Sequence, residues 1–307
     1  MKKAFVLLTI ILLFITQANA QSNQPYVMVL GVAQDGGFPH LGCQKTCCTQ
    51  AWANPKLRRN VTALAVVNPQ SKQWWLLDAT PDIKQQLQDF QKLTKGEYPY
   101  LPSGIFLTHA HIGHYTGLMQ FGREVMNTKQ LNVYVMPKFK GFLEKNGPWS
   151  QLVELKNINL IQLDTIKPVL FGSINFQAVI VPHRDEYSET VGFKVNLGGK
   201  KVLFIPDIDK WSKWDKNIIE EVHKVDYAFL DATFYDNLEL NNRPMNEVPH
   251  PFVAETMKLF EKESASTKAK IHFIHFNHTN PIMWQPQAKQ KLLNQGFNLA
   301  EQSKLYQ

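Results

Sequence analysis

Residues 105–114 read Ile105-Phe106-Leu107-Thr108-His109-Ala110-His111-Ile112-Gly113-His114. The opening residues form a short apolar run, which reads as a buried strand. The six that follow place three imidazoles just beyond its carboxyl end. A neutral imidazole is the commonest protein ligand for zinc-like ions, and a tight turn after a strand can aim several rings at one point. The segment therefore predicts a metal-binding turn at the edge of a sheet.

Working outward, the same grammar recurs: an apolar strand, then a polar residue able to ligate. Ile174 to Val181 reads as a strand ending at Pro182-His183, Lys201 to Ile205 as one ending at Pro206-Asp207, and Ile271 to Phe276 as one that carries His275. Tyr227 to Leu230 ends at Asp231. Other expected strands are Tyr26–Leu30, Val61–Val67 with Trp74–Leu77 as its hairpin partner, Leu131–Val135, and Val191–Val195 paired through Gly198-Gly199 with the strand from Lys201. Helices are expected from Pro81, where Ile83, Leu87 and Phe90 share one face, over Tyr115–Met126, and over Val253–Phe260. Strands in two sets with helices between and after them predict an α/β chain, an αββα sandwich of two mixed sheets flanked by helices. In such a sandwich the ends bearing His109, His183, Asp207 and His275 gather along one edge, so a shared metal cleft is expected there.

The chain has 307 residues and a formal net charge of +7. Its start has the build of a secretory signal: Lys2 and Lys3, an apolar stretch from Phe5 to Ile15, and Ala18-Asn19-Ala20 as a cleavage site. The expectation is a signal peptide over residues 1–20 and one domain over 21–307, exported to the periplasm or beyond, with no membrane span after cleavage. Loss of the two lysines takes the charge from +7 to +5, which suits a small anionic substrate. Basic residues are dispersed and not interleaved with aromatics, so nothing points to nucleic acid. The oligomeric state is not encoded in any feature of the chain.

All three cysteines, Cys43, Cys47 and Cys48, fall within six residues. An odd number leaves a thiol over in a disulfide scheme. Three thiolates and a distant histidine would complete a tetrahedral structural zinc site; one disulfide plus a free thiol is the competing arrangement.

The run from His109 to His114, with the strand-end residues after it, resembles the metallo-β-lactamase superfamily, whose signature is H-x-H-x-D-H. The resemblance covers nearly all of the expected mature chain. It implies that His109, His111 and His183 bind a first ion, that Asp207 bridges two ions and is catalytic, and that His114 and His275 serve the second. The departure is Gly113, which stands where the family has an aspartate ligand. A glycine offers no ligand atom, so the expectation is one tightly held Zn2+, with Mn2+ or Fe2+ as alternatives. The second site would be weak, empty, or completed by water or another residue.

Two branches are similar in more detail. Gly36-Gly37-Phe38-Pro39 before the cysteines, Asp78-Ala79-Thr80-Pro81-Asp82-Ile83, Thr116-Gly117-Leu118 and the stretch from Phe273 to Pro281 resemble pyrroloquinoline quinone biosynthesis protein B. That branch lacks the first two histidines and keeps the aspartate; this chain does the reverse. The cysteine loop together with His278, three residues after His275, resembles the cyclic phosphodiesterase of the carbon–phosphorus lyase pathway. This second likeness implies a structural Zn2+ on Cys43, Cys47, Cys48 and His278, and an assisting catalytic role for His250. His40 and Arg184 are placed to meet an anionic substrate. The activity implied is hydrolysis by metal-activated water, foremost of a phosphodiester or related ester. A lactone or β-lactam hydrolase, and a non-hydrolytic protein of the quinone-cofactor branch, are the alternatives.

Overall fold

The computed structural model describes residues 23–240 and 244–307; the expected signal peptide lies outside the described residues. Strands β1 (Tyr26–Gly31), β2 (Ala63–Asn68), β3 (Gln73–Leu77), β4 (Gly104–Phe106), β5 (Leu131–Val135) and β6 (Ile158–Gln162) come first along the chain. They are followed by β7 (Val169–Phe171), β8 (Ile174–Ile180), β9 (Val191–Asn196), β10 (Lys201–Ile205), β11 (Tyr227–Asp231), β12 (Ile271–Ile274), β13 (Asn298–Leu299) and β14 (Leu305–Tyr306). They form two mixed seven-stranded sheets, ordered β14-β1-β2-β3-β4-β5-β6 and β13-β12-β11-β10-β9-β8-β7. The αββα arrangement expected from the sequence is thus the one observed.

Every residue of β1, β2 and β4 is buried, because both faces of the first sheet are covered. Alternate residues divide between two cores. Val27, Val29, Leu64, Val66, Trp75, Leu77 and Phe106 face the second sheet and meet Phe176, Phe193 and Phe204. Met28, Leu30, Ala65, Trp74, Leu76 and Ile105 face outward onto the helix Ile83–Leu93 through Ile83, Leu87 and Phe90. Phe106 anchors the first core, stacked on Tyr134 at 4.3 Å and on Phe176 at 4.2 Å between ring centroids.

Direction of the strands decides where the chemistry goes. β3, β4 and β5 are parallel in the first sheet. β10, β11 and β12 are parallel in the second, and β8 shares their sense because both it and β10 run antiparallel to β9. Their carboxyl ends carry Asp78, His109, His183, Asp207, Asp231 and His275, all on one rim.

The expected helix over Tyr115–Met126 is corrected. The chain makes one α turn, Ile112–Tyr115, then a 3-10 stretch, Thr116–Phe121, and turns away. The backbone at Gly117 is drawn against the turn after β3: its N–H donates to the Ala79 carbonyl at 2.9 Å. A Cβ there would lie 2.1 Å from the Thr80 carbonyl oxygen. That close approach forbids a regular helix. Likewise the helix expected from Pro81 begins at Ile83, after a turn in which Thr80 Oγ1 accepts from the Asp82 N–H. No helix among the described residues is long and apolar enough to cross a membrane.

Candidate metal centre

Three groups of ligand atoms meet on the rim, the third being Asp207 and Asp231 with His250. His109, His111, His183 and Asp207 form the first, and Asp35, His114 and His275 the second. In the first, Asp207 Oδ2 lies 3.2 Å from His109 Nε2, 3.2 Å from His183 Nε2 and 3.7 Å from His111 Nδ1. The same oxygen is 4.0 Å from His114 Nε2, so Asp207 faces both clusters. In the second, Asp35 Oδ1 lies 3.3 Å from His114 Nε2 and 3.7 Å from His275 Nε2.

These atoms fit metal ions better than they fit one another. His109 Nε2, His114 Nε2, His275 Nε2 and Asp35 Oδ1 are all buried without a hydrogen-bond partner. Buried polar atoms without partners are costly in a fold, and several converging on one point is the pattern a bound cation resolves. For bonds of about 2.1 Å to nitrogen or oxygen, a tetrahedral site has ligand atoms roughly 3.4 Å apart, close to the separations found.

Three of the rings, His109, His114 and His275, are held by a second partner that fixes which nitrogen is free. Thr108 Oγ1 donates to Asp78 Oδ2 at 3.0 Å and accepts from His109 Nδ1–H at 3.0 Å. His114 Nδ1–H donates to Asp78 Oδ2 at 2.8 Å. In the second sheet the device recurs: Thr233 Oγ1 donates to Asp231 Oδ1 at 2.7 Å and accepts from His275 Nδ1–H at 2.9 Å. In both sheets an aspartate at a strand end, through a threonine hydroxyl, turns an Nε2 lone pair toward the rim. Asp78 and Asp231 head the same tripeptide, Asp-Ala-Thr.

Backbone geometry carries the same message. Asp78 (φ +68°), His250 (φ +85°) and His275 (φ +68°) all sit in the left-handed region. Such non-glycine residues cost on the order of 1–3 kcal/mol each and cluster at functional sites.

His250 sits deeper, beside the first cluster. Its Nδ1–H donates to Asp231 Oδ2 at 2.9 Å and lies 3.0 Å from Asp207 Oδ1. Burial disfavours its cation, but the two carboxylates outweigh burial and push its pKa up to about 10. Burial opposes ionisation of Asp207, yet His250 and His183 hold it well below the carboxylate range. Burial keeps His109 neutral. For His114, burial is overcome by Asp78 and Asp35, which hold a proton on the ring, where a cation would otherwise stand.

The structure brings His109, His111, His183 and Asp207 together and sets His114 beside His275. Gly113 offers no ligand atom, and the carboxylate beside His114 and His275 is that of Asp35, in the turn after β1. The His40 ring lies 4.2 Å from that of His278, and its backbone N–H donates to Cys48 Sγ. Arg184 is exposed beside His183. Asp35 and Asp78 were not among the site residues expected; the first is hidden in an Asp-Gly-Gly turn, the second reads as a helix start.

Cys43, Cys47, Cys48 and His278 converge as a further cluster. The cysteines are free thiols, with sulfur separations of 3.7 Å for Cys43–Cys47 and 3.9 Å for Cys47–Cys48. A tetrahedral zinc with Zn–S bonds of about 2.3 Å sets its sulfurs roughly 3.8 Å apart, so the spacing of the four residues fits a structural ion.

A family model described as "Beta-lactamase superfamily domain" matches residues 73–273. "Coenzyme PQQ synthesis protein B" of Methylorubrum populi is 24% identical over 279 residues, covering 84% of this chain and 91% of that protein. Among solved structures, Zn2+-bound PqqB from Methylobacterium extorquens superposes with a TM-score of 0.72 at 19% identity, over 92% of this chain and 99% of the other. A diphosphatase from the PhnP family superposes with a TM-score of 0.66 at 20% identity, over 92% and 96%.

Proposed function

The chain belongs to the β-lactamase superfamily domain family, and from that premise we propose that it is a metal-dependent hydrolase of a phosphodiester or related anionic ester. One observation carries the reading: Asp207 turns Oδ2 to the histidine cluster and Oδ1 to His250, a buried imidazole backed by Asp231. A Zn2+, Mn2+ or Fe2+ ion held by His109, His111, His183 and Asp207 supplies Lewis acidity and a water acidic enough to act near neutral pH. The protein does the rest. Asp78 and Thr108 lock His109 and His114 in the ligating tautomer. His250, charged and fixed at Nδ1, keeps a second ring N–H to offer to a developing anion or a departing alkoxide. A cation at that position suits the spread negative charge of a phosphoryl group. A solved neighbour of this fold is described as a diphosphatase, so the fold is one that accommodates phosphoryl chemistry.

The test is a panel of chromogenic phosphodiesters, lactones and a cephalosporin, run on zinc-, manganese- and iron-loaded protein. Turnover of phosphodiesters above the others supports the proposal; turnover of lactones or the cephalosporin alone replaces it with the lactonase or lactamase reading. A second reading is favoured by the curated relatives, which are coenzyme PQQ synthesis proteins: a non-hydrolytic role in the manner of that branch. No turnover with any metal selects it.

A further inference from the structure

We propose that Asp35 is the carboxylate ligand of the second ion, and that position 113 is glycine because that carboxylate occupies the space a side chain would need. The inference rests on the two-ion reading of the rim and says which residue completes it. In the signature that this chain otherwise follows, the acid stands at position 113, on the same turn as the histidines. Here a Cβ at Gly113 would lie 2.1 Å from Asp35 Oδ1, 2.7 Å from Asp35 Cα and 2.8 Å from Asp35 Cγ. The two positions exclude each other: the acid comes from one or the other. The ligand has changed strands while its carboxylate has stayed beside the same two histidines.

Three further observations place Asp35 as a ligand and not a bystander. Its Oδ1 is buried without a hydrogen-bond partner, as are the facing His114 Nε2 and His275 Nε2. Its distances to those nitrogens, 3.3 and 3.7 Å, span the edge of a site with bonds of about 2.1 Å. The turn that carries it is tied to the strand bearing His275: Gln34 N–H donates to the Phe276 carbonyl at 2.8 Å, and Ala33 bridges both Phe276 and Val61. The carboxylate is therefore positioned before any ion arrives.

The experiment counts metal per chain, after dialysis, in wild type, Asp35→Ala and Gly113→Asp, with folding checked by circular dichroism. Asp35→Ala should lose about one equivalent relative to wild type. Gly113→Asp should also lose it, because a side chain there collides with both the carboxylate and the backbone Cα of Asp35. Should Asp35→Ala fold poorly, Asp35→Asn, which keeps the shape, should show weakened binding of the last ion in chelator competition. A full metal count and unchanged chelator resistance in the folded Asp35 variants would overturn the proposal. A different failure is separately visible: if His109→Ala leaves the count unchanged, the metal reading of the rim itself is wrong.

Discussion

Asp78 touches no substrate-facing atom, yet it governs His114. Its Oδ2 accepts from the ring Nδ1–H and from Thr108 Oγ1, and its Oδ1 from the Thr108 N–H at 2.8 Å. In Asp78→Asn, the amide oxygen keeps the Thr108 N–H and the NH2 faces His114. The ring must then accept at Nδ1 and carry its proton on Nε2, where the ion should bind. Asparagine tolerates the left-handed backbone of this position, so the fold should persist. The expected outcome is a 10–100-fold loss in affinity for the second ion, read by chelator competition; an unchanged affinity would show that the tautomer is not set by Asp78. His250 makes the complementary case. It groups with Asp207 and Asp231 and not with His109, His111 and His183, and its Nδ1 is taken up by Asp231, so His250→Ala should keep the metal count while turnover falls by about 10²–10⁴-fold. Loss of metal together with activity would recast His250 as a ligand.

Among the elements, the segment from Phe38 to Cys48, a loop that runs into the helix Thr46–Ala53, is the brace between two sites. Its cysteines converge with His278, three residues beyond His275, and its N-terminal approach carries Asp35. Cys43→Ser should therefore release the structural ion and, through the slackened loop, also weaken the second ion of the rim while sparing the first. Metal analysis showing one ion lost and unaltered binding of the rest would separate the two sites. Much of this was legible in the chain. The strand-to-histidine transitions at Thr108-His109, Val181-Pro182-His183 and Ile274-His275 could be read because apolar runs end abruptly in ligating side chains. Asp35 could not, because an aspartate before two glycines carries the ordinary chemistry of a turn, and only the fold brings it to His114. The helix expected after Tyr115 failed for a related reason: the periodicity was there, but the close approach of Gly117 to the β3 turn is a tertiary fact. Strands β13 and β14, two residues each, are too short to leave a periodic trace.

At the scale of the whole molecule, the two sheets close on each other at a histidine that has nothing to do with metal. Tyr306 lies on β14, which pairs with β1 in the first sheet. Its ring packs 4.8 Å from His272 and 5.0 Å from Phe229, both in the second sheet. His272 is buried at 6% exposure, and burial pulls its pKa from 6.5 down to about 4. In the unfolded chain the ring takes its proton near 6.5; in the folded chain it refuses it until about 4. Above 6.5 both states are neutral and the group is silent. As pH falls through that window the unfolded state binds the proton first, so stability declines, by about 3 kcal/mol once pH 4 is reached. His272→Phe keeps the ring contacts with Tyr306 and removes the titration. Urea unfolding of metal-free wild type and variant at pH 7 and pH 4.5 should show a gap in the acid loss of stability between them of about 2 kcal/mol or more. Equal losses in the two proteins would mean that His272 is charged, or reached by water, in the native sandwich. The seam between the sheets would then owe its acid sensitivity to other groups.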